Sequence, residues 1–338
     1  MEKSKSEKII KMEDFNENPA VKFYKDMIDD NQDEHHRYKS WEPCYNFFQN
    51  EYEKIKNIFQ ENHKNTKEDD ELVDHACLHL SFYLASWGMY RGSGFLLNKD
   101  YKCHKYALEV LVDEEYYDLW DLNFNTLSED DNKIPLIFEL KDKIKAAYGN
   151  NLKEAEKVKY LFDLNLDYKE YLVEKKEIND ELVNKFVDGT KSKINIKEYS
   201  IKKDGKDWKI IHEKKKKAYR IEETGGKLKV YKNQSINPTD TLISKILMGT
   251  MGCVPAYDRL FINGLKEKKL DTEKNNKFSY HFNETSFKKL VEFCKNNKKE
   301  IEEIQKYILK NRKIAYPIMK IIDMYFWYIG FTNNKENK

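Results

Sequence analysis

The stretch Pro238-Thr-Asp-Thr-Leu-Ile-Ser-Lys-Ile-Leu-Met-Gly-Thr-Met-Gly-Cys-Val-Pro-Ala-Tyr-Asp258-Arg-Leu-Phe261 governs the reading of this chain. Leu242, Lys245 or Ile246, and Gly249 recur at helical spacing, which predicts a helix over 241–248 with Thr239 or Asp240 capping its first amides. Gly249 and Gly252 are expected to end that helix, and Pro255 to shape the turn that follows. Leu260, Phe261 and Leu265 then open a second apolar stripe. Asp258 is therefore expected at a helix N-terminus, where a carboxylate meets unpaired amides and the positive end of the helix dipole. Two roles suit an Asp there, a cap or a catalytic carboxylate.

This layout resembles the helix-hairpin-helix DNA glycosylase superfamily, in which a hairpin leads into a helix, a Gly- and Pro-containing turn, and a catalytic Asp opening the next helix. Bifunctional members of that family carry a Lys about eighteen residues before the Asp, followed by Thr. Here that position is Asp240, followed by Thr241. The resemblance, which covers the last third of the chain, implies Asp258 as the catalytic carboxylate of a monofunctional enzyme excising a damaged or modified base. Bases of the kind used by bacteriophages fall within that class. The family's hairpin offers Gly-x-Gly amides to a DNA phosphate, whereas this chain has Ile236-Asn237-Pro238, and Pro has no amide hydrogen. Other donors would have to hold the phosphate, and Lys245, Arg259 and Lys214, Lys215, Lys216 and Lys217 are the candidates. Cleaving the bond to a base builds positive charge on the sugar, which a fixed carboxylate stabilises while orienting water. An extruded base also needs a stacking face. Tyr257 is the neighbour suited to that role or, equally, to packing.

Upstream lies the second signal. Between 191 and 232 the chain carries 15 Lys and Arg against 6 Asp and Glu, a local +9 that leaves −7 on everything else, since the net charge is +2. Tyr199, Trp208, Tyr219 and Tyr231 interleave these cations. Cations attract phosphate and aromatic faces stack on bases, so nucleic acid, DNA or RNA, is the partner this pattern suits; a solvated hairpin with lysines outward is the alternative. Ile194, Ile201, Ile210, Ile221 and Val230 sit among the turn signals Asp204-Gly205 and Gly225-Gly226, which predicts two to four short strands.

The remainder reads as helix. Tyr45, Phe48, Tyr52, Ile55 and Phe59 form a stripe after an expected break at Pro43. Val73, Ala76, Leu80, Leu84 and Trp87 form another over 71–89, expected to be the most buried element. That helix runs into Trp87-Gly-Met-Tyr-Arg-Gly-Ser-Gly94, where glycines permit close approach and Arg91 can grip a phosphate or pair with a buried acid. Trp87 and Arg91 join Tyr257, Arg259 and Lys245 as substrate-binding candidates. His75 and His79 share a helix face, with Cys103 and His104 beyond, but no zincin glutamate stands between them. Neither a metal nor a cofactor is expected. The final apolar helix over 317–330 holds an isolated acid, Asp323, suited to a second catalytic role, a partnership with Arg91, or solvent.

The expected fold is therefore mainly α: a loose polar tail over 1–20, an N-terminal helical lobe over 21–190, a basic β-containing insertion over 191–235, and a C-terminal helical lobe over 236–332. The five cysteines lack Cys-x-x-Cys spacing, and no run of about 18 apolar residues occurs. A cytoplasmic protein without a membrane span or disulfide framework is expected. Two non-enzymatic readings stand beside the glycosylase: a nucleic-acid-binding protein, and a helical interaction or regulatory module in which Asp258 only caps.

Overall fold

The computed structural model describes residues 10–29, 36–60, 66–91, 95–96, 99–129, 133–151, 159–164, 199–204, 207–212, 217–224, 227–232, 238–268 and 280–336. These are mainly helical. The chain divides into two units, one from residues 1–152 together with 237–338 and one from 153–236. The helical segments set apart in the sequence reading thus contribute to a single unit.

Twelve α-helices are described in the first unit: α1 Pro19–Phe23, α2 His36–Lys39, α3 Trp41–Phe59, α4 Lys67–Ser86, α5 Lys105–Leu111, α6 Phe124–Glu129, α7 Lys133–Asn151, α8 Asp240–Thr250, α9 Arg259–Glu267, α10 Glu284–Asn296, α11 Lys298–Arg312 and α12 Ile318–Glu336. No described helix is long and apolar enough to cross a membrane. Pro43 does not break the chain as expected. It lies in the first turn of α3, where its missing amide hydrogen costs no intrahelical bond. α4 is not the most buried element: it leaves Leu78 and Phe82 exposed, whereas Leu242 through Thr250 of α8 and Ile318 through Trp327 of α12 are all buried. A helix buried all round needs apolar residues on every face, and the stretch 318–327 of α12 meets this except at Lys320 and Asp323.

Two glycines set how α9 lies on α12. A Cβ on Gly264 would stand 1.9 Å from the carbonyl oxygen of Phe326, and one on Gly330 would stand 2.0 Å from that of Leu260. The two backbones therefore touch, and no other residue type fits at either place. Phe261 and Leu265 of α9 are fully buried in the same contact, each contributing roughly 1.5–3 kcal/mol of apolar burial.

Gly249 also departs from the expected stop. It stays inside α8, where its missing side chain admits the Tyr83 ring, which would lie 2.6 Å from a Cβ. The carbonyls at the end of α8 find partners outside the helix: Trp41 Nε1 donates to Met248 at 2.8 Å and Gln49 Nε2 to Thr250 at 3.1 Å. Gly252, at φ +66°, then turns the chain in the left-handed region.

The start of the chain is not a loose tail from residue 10 onward. Asn297 accepts from the Met12 amide at 2.7 Å and donates to the Ile10 carbonyl at 3.1 Å. Glu13 bonds Lys268 and the Tyr325 hydroxyl, so sparse polar anchors replace the apolar period that the sequence lacks there.

In the second unit, backbone pairing runs β1 Lys159–Leu164, β2 Tyr199–Asp204, β3 Asp207–His212, β4 Lys217–Thr224 and β5 Lys227–Lys232, antiparallel in the order β1-β5-β4-β3-β2. β1 comes from residues expected in the helical lobe, where Tyr160, Phe162 and Leu164 alternate at the strand period. Lys214, Lys215 and Lys216 lie outside the described residues, as do the side chains of Trp208 and Lys217.

Candidate functional site at Asp258

Asp258 is the N-cap of α9. Its Oδ1 accepts from the amides of Leu260 at 3.0 Å and Phe261 at 3.1 Å. The segment that delivers it is fastened to α8, whose own N-cap is Thr239. Thr241 Oγ1 donates to the Tyr257 carbonyl at 2.9 Å, and Ser244 Oγ accepts from the Tyr257 amide at 3.0 Å. One turn along, Lys245 Nζ reaches Asp258 Oδ2 at 3.1 Å. Three donors thus hold this carboxylate, and its side chain retains 17% exposure against 2% for Lys245.

The Lys245 ammonium also lies 4.2 Å from the centre of the Trp87 ring, a cation–π arrangement in a site with little water. Trp87 is half-buried. Arg37 covers it at 4.8 Å and lies 5.3 Å from Tyr38. The indole Nε1 of Trp87 is buried and has no partner among the described residues. Burial holds the Tyr38 phenol above its usual range, Arg37 opposes this, and the Asp258 charge reinforces it.

A second pair lies deeper. Asp323 Oδ1 accepts from the Ala256 amide at 3.1 Å, and Lys320 Nζ reaches Asp323 Oδ2 at 3.2 Å. Burial raises the Asp323 carboxyl above the usual carboxylate range; Lys320 opposes this, the Asp258 charge adds to it, and Lys245 opposes it. Two lysines and two aspartates therefore feel one another with no net charge. Lys320 Nζ faces Trp41 at 5.1 Å and Phe23 at 5.8 Å.

These contacts revise several expectations. Tyr257 is 2% exposed and packs against Phe282 and Phe261 at 4.9 and 5.1 Å, because its backbone bonds to Thr241 and Ser244 turn it inward. The aromatic face joined to Asp258 through Lys245 is Trp87 instead. Lys245 is spent in the ion pair and offers no exposed charge to a phosphate. Asp323 partners Lys320 and the Ala256 amide, and no ion pair joins it or Asp258 to Arg91 among the described residues. Arg91 and Arg259 are exposed. Asp240 pairs with Lys141 at 3.1 Å.

The sequence reading missed Lys320, Arg37 and Tyr38. The i, i+3 spacing of Lys320 to Asp323 was a usable signal. Nothing in the short α2 segment marks Arg37 or Tyr38.

No group of three metal-ligating side chains occurs among the described residues. His79 stacks on Phe47 at 4.2 Å. His104 is buried between the hydroxyls of Tyr90, 2.8 Å from Nε2, and Tyr148, 2.6 Å from Nδ1. Burial drives its pKa down from 6.5 to about 3. The unfolded chain takes up a proton below about pH 6.5 that the folded chain refuses, so stability falls as pH drops from there, by up to about 1.4 kcal/mol per pH unit. His104→Gln keeps polar partners for both tyrosines. It is expected to flatten the stability profile between about pH 6.5 and 5, where carboxylates remain ionised. Urea titrations across that range check this, and an unchanged slope would mean the imidazole protonates within the fold.

Neither a family model, nor a curated protein, nor a solved structure matches this chain.

Proposed function

We propose that the chain acts on DNA as a monofunctional glycosylase, with Asp258 stabilising the positive charge that develops on the sugar as the bond to a damaged or modified base breaks. The observation that carries this reading is the state of Asp258: a carboxylate immobilised by two helix amides and an ammonium, yet retaining 17% exposure. A fixed charge of this kind needs no reorganisation when the transition state forms. Water then adds its oxygen to the anomeric carbon, and a water proton leaves with the base. Trp87 and Arg37 offer the base a flat cationic edge. Arg91, Arg259 and the basic segment 191–232, with its β-containing core, supply phosphate contacts in this reading.

A second reading is favoured by the likeness between the two ion pairs. Asp323, at 6% exposure, accepts from a backbone amide through one oxygen and pairs with a lysine through the other, as Asp258 does, in a purely internal arrangement. On that pattern Asp258 is a cap in a helical interaction module. A non-enzymatic DNA-binding protein would instead bind with steep salt dependence and keep binding when Asp258 is changed.

Incubation of the protein and of Asp258→Asn with ordinary, damaged and hypermodified DNA separates these readings. Abasic sites are scored as strand breaks after alkali. Breaks made by the wild type and lost in the variant support the glycosylase. Salt-sensitive binding without breaks supports the binding protein, and neither breaks nor binding supports the module.

A further inference from the structure

Helix α4, Lys67–Ser86, is apolar on two sides. One side is its core stripe, with Val73, Leu80 and Leu84 buried. On the other stand Leu78, at 46% exposure, and Phe82, at 58%, two of the four large apolar side chains exposed among the described residues. Single exposed apolar residues are ordinary, but two that adjoin on one helix, four positions apart, mark a face suited to a second element.

His75 and Ala85, also exposed, extend that face at either end. Positions 75, 78, 82 and 85 follow the spacing of a coiled-coil seam, and the spacing is symmetric about residue 80. Such a seam fits an antiparallel copy of itself. A twofold axis at residue 80 sets Phe82 against the partner's Leu78, and His75 against the partner's Ala85.

Charge runs along the same helix in the sense that this arrangement needs. The first turn carries Glu68, Asp69 and Asp70, followed by Glu71. Past the last turn Gly88, at φ +76°, folds the chain back, and the Arg91 amide donates to the Gly88 carbonyl at 3.2 Å, which keeps Arg91 at the C-terminal end of α4. Arg37 lies at that end too, 4.8 Å from the ring of Trp87, the C-cap of α4. Both arginines are exposed and form no ion pair among the described residues. A parallel pair of helices would set acid against acid. An antiparallel pair sets the acidic turn of each copy against the cationic end of the other.

We propose that α4 is a homodimer interface, the seam over 75–85 packing on the same seam of a second copy, antiparallel about residue 80, with Arg91 facing the acidic first turn of the partner. While the copies are paired Arg91 serves the interface, and phosphate is left to Arg259 and the basic segment.

Sedimentation of the full chain over a micromolar concentration series tests the assignment. The seam is short, so a reversible dimer is expected. Phe82→Glu and Leu78→Glu, at exposed positions, are each expected to raise its dissociation constant at least about thirtyfold, the effect of losing a central anchor. Leu309→Glu puts the same charge at an exposed apolar position of α11 and is expected to change nothing. Arg91→Glu is expected to weaken the dimer by about three- to tenfold, and Arg91→Glu/Glu68→Arg, which exchanges the signs across the contact, to recover most of that loss. Melting curves verify that each variant folds. A chain monomeric throughout the series, a dimer indifferent to Phe82→Glu and Leu78→Glu, or an equal loss in Leu309→Glu would overturn the interface. A double variant no tighter than Arg91→Glu would overturn its antiparallel sense. Mass is the readout, so the outcome does not depend on whether Asp258 is catalytic.

Discussion

Asp258→Asn is expected to lower the rate of alkali-labile break formation by about 10²–10³, the effect of removing one preorganised electrostatic stabiliser. Asn is as good an N-cap as Asp, so the bonds to Leu260 and Phe261 survive the change. Lys245, at 2% exposure, is left without its counter-charge, and stability falls by up to about 3 kcal/mol. Activity of the single variant is therefore ambiguous unless stability is restored. The double variant Asp258→Asn/Lys245→Met removes both charges and is expected to recover most of the stability while staying inactive. Urea midpoints and break counts for wild type and both variants complete the test. A double variant that regains stability and activity together would show that Asp258 serves only as a cap and ion-pair partner.

Gly264→Ala is expected to destabilise the chain by about 2–3 kcal/mol, even though alanine is the better helix former by about 1 kcal/mol. The new Cβ would lie 1.9 Å from the Phe326 carbonyl oxygen, so α9 and α12 must move apart by more than an ångström. Neither side can yield cheaply, since both are helix backbone. Gly330→Ala meets the Leu260 carbonyl at 2.0 Å in the same crossing. The second substitution is therefore expected to cost less once the helices are already parted, and the double variant to be less destabilised than the two single losses added. Because α9 carries Asp258 at its start, the same displacement should reduce any activity at Asp258 more than it lowers the melting temperature. Full additivity would indicate two independent contacts, and a neutral Gly264→Ala would mean the helices are not in backbone contact.

The division between what was legible in the sequence and what was not follows the range of the interactions. A cap at Thr239 or Asp240, Asp258 at a helix start, α8 and α9 as helices around the Pro255 turn, and α12 as a strongly apolar helix could be read because capping and periodicity depend on residues within about four positions. Other features depended on side chains brought in from afar. Gly249 looks like a stop until Tyr83 occupies the space above it. Lys245 reads as a phosphate ligand until α8 and the turn fold back and give its charge to Asp258. Residues 10–18 lack an apolar period, yet Asn297 and Glu13 dock them through hydrogen bonds that composition does not register.

By itself, then, the sequence determined a mainly helical chain and a carboxylate at the head of α9, because local spacing and backbone amides suffice to specify both. The tertiary structure alone decided that Asp258 faces Lys245 beneath Trp87, that Asp323 accepts from the Ala256 amide and stays apart from Arg91, and that Tyr257 turns inward. The pairing of a buried charge is set by which distant backbone approaches closely enough to exclude water, and no local spacing encodes that approach.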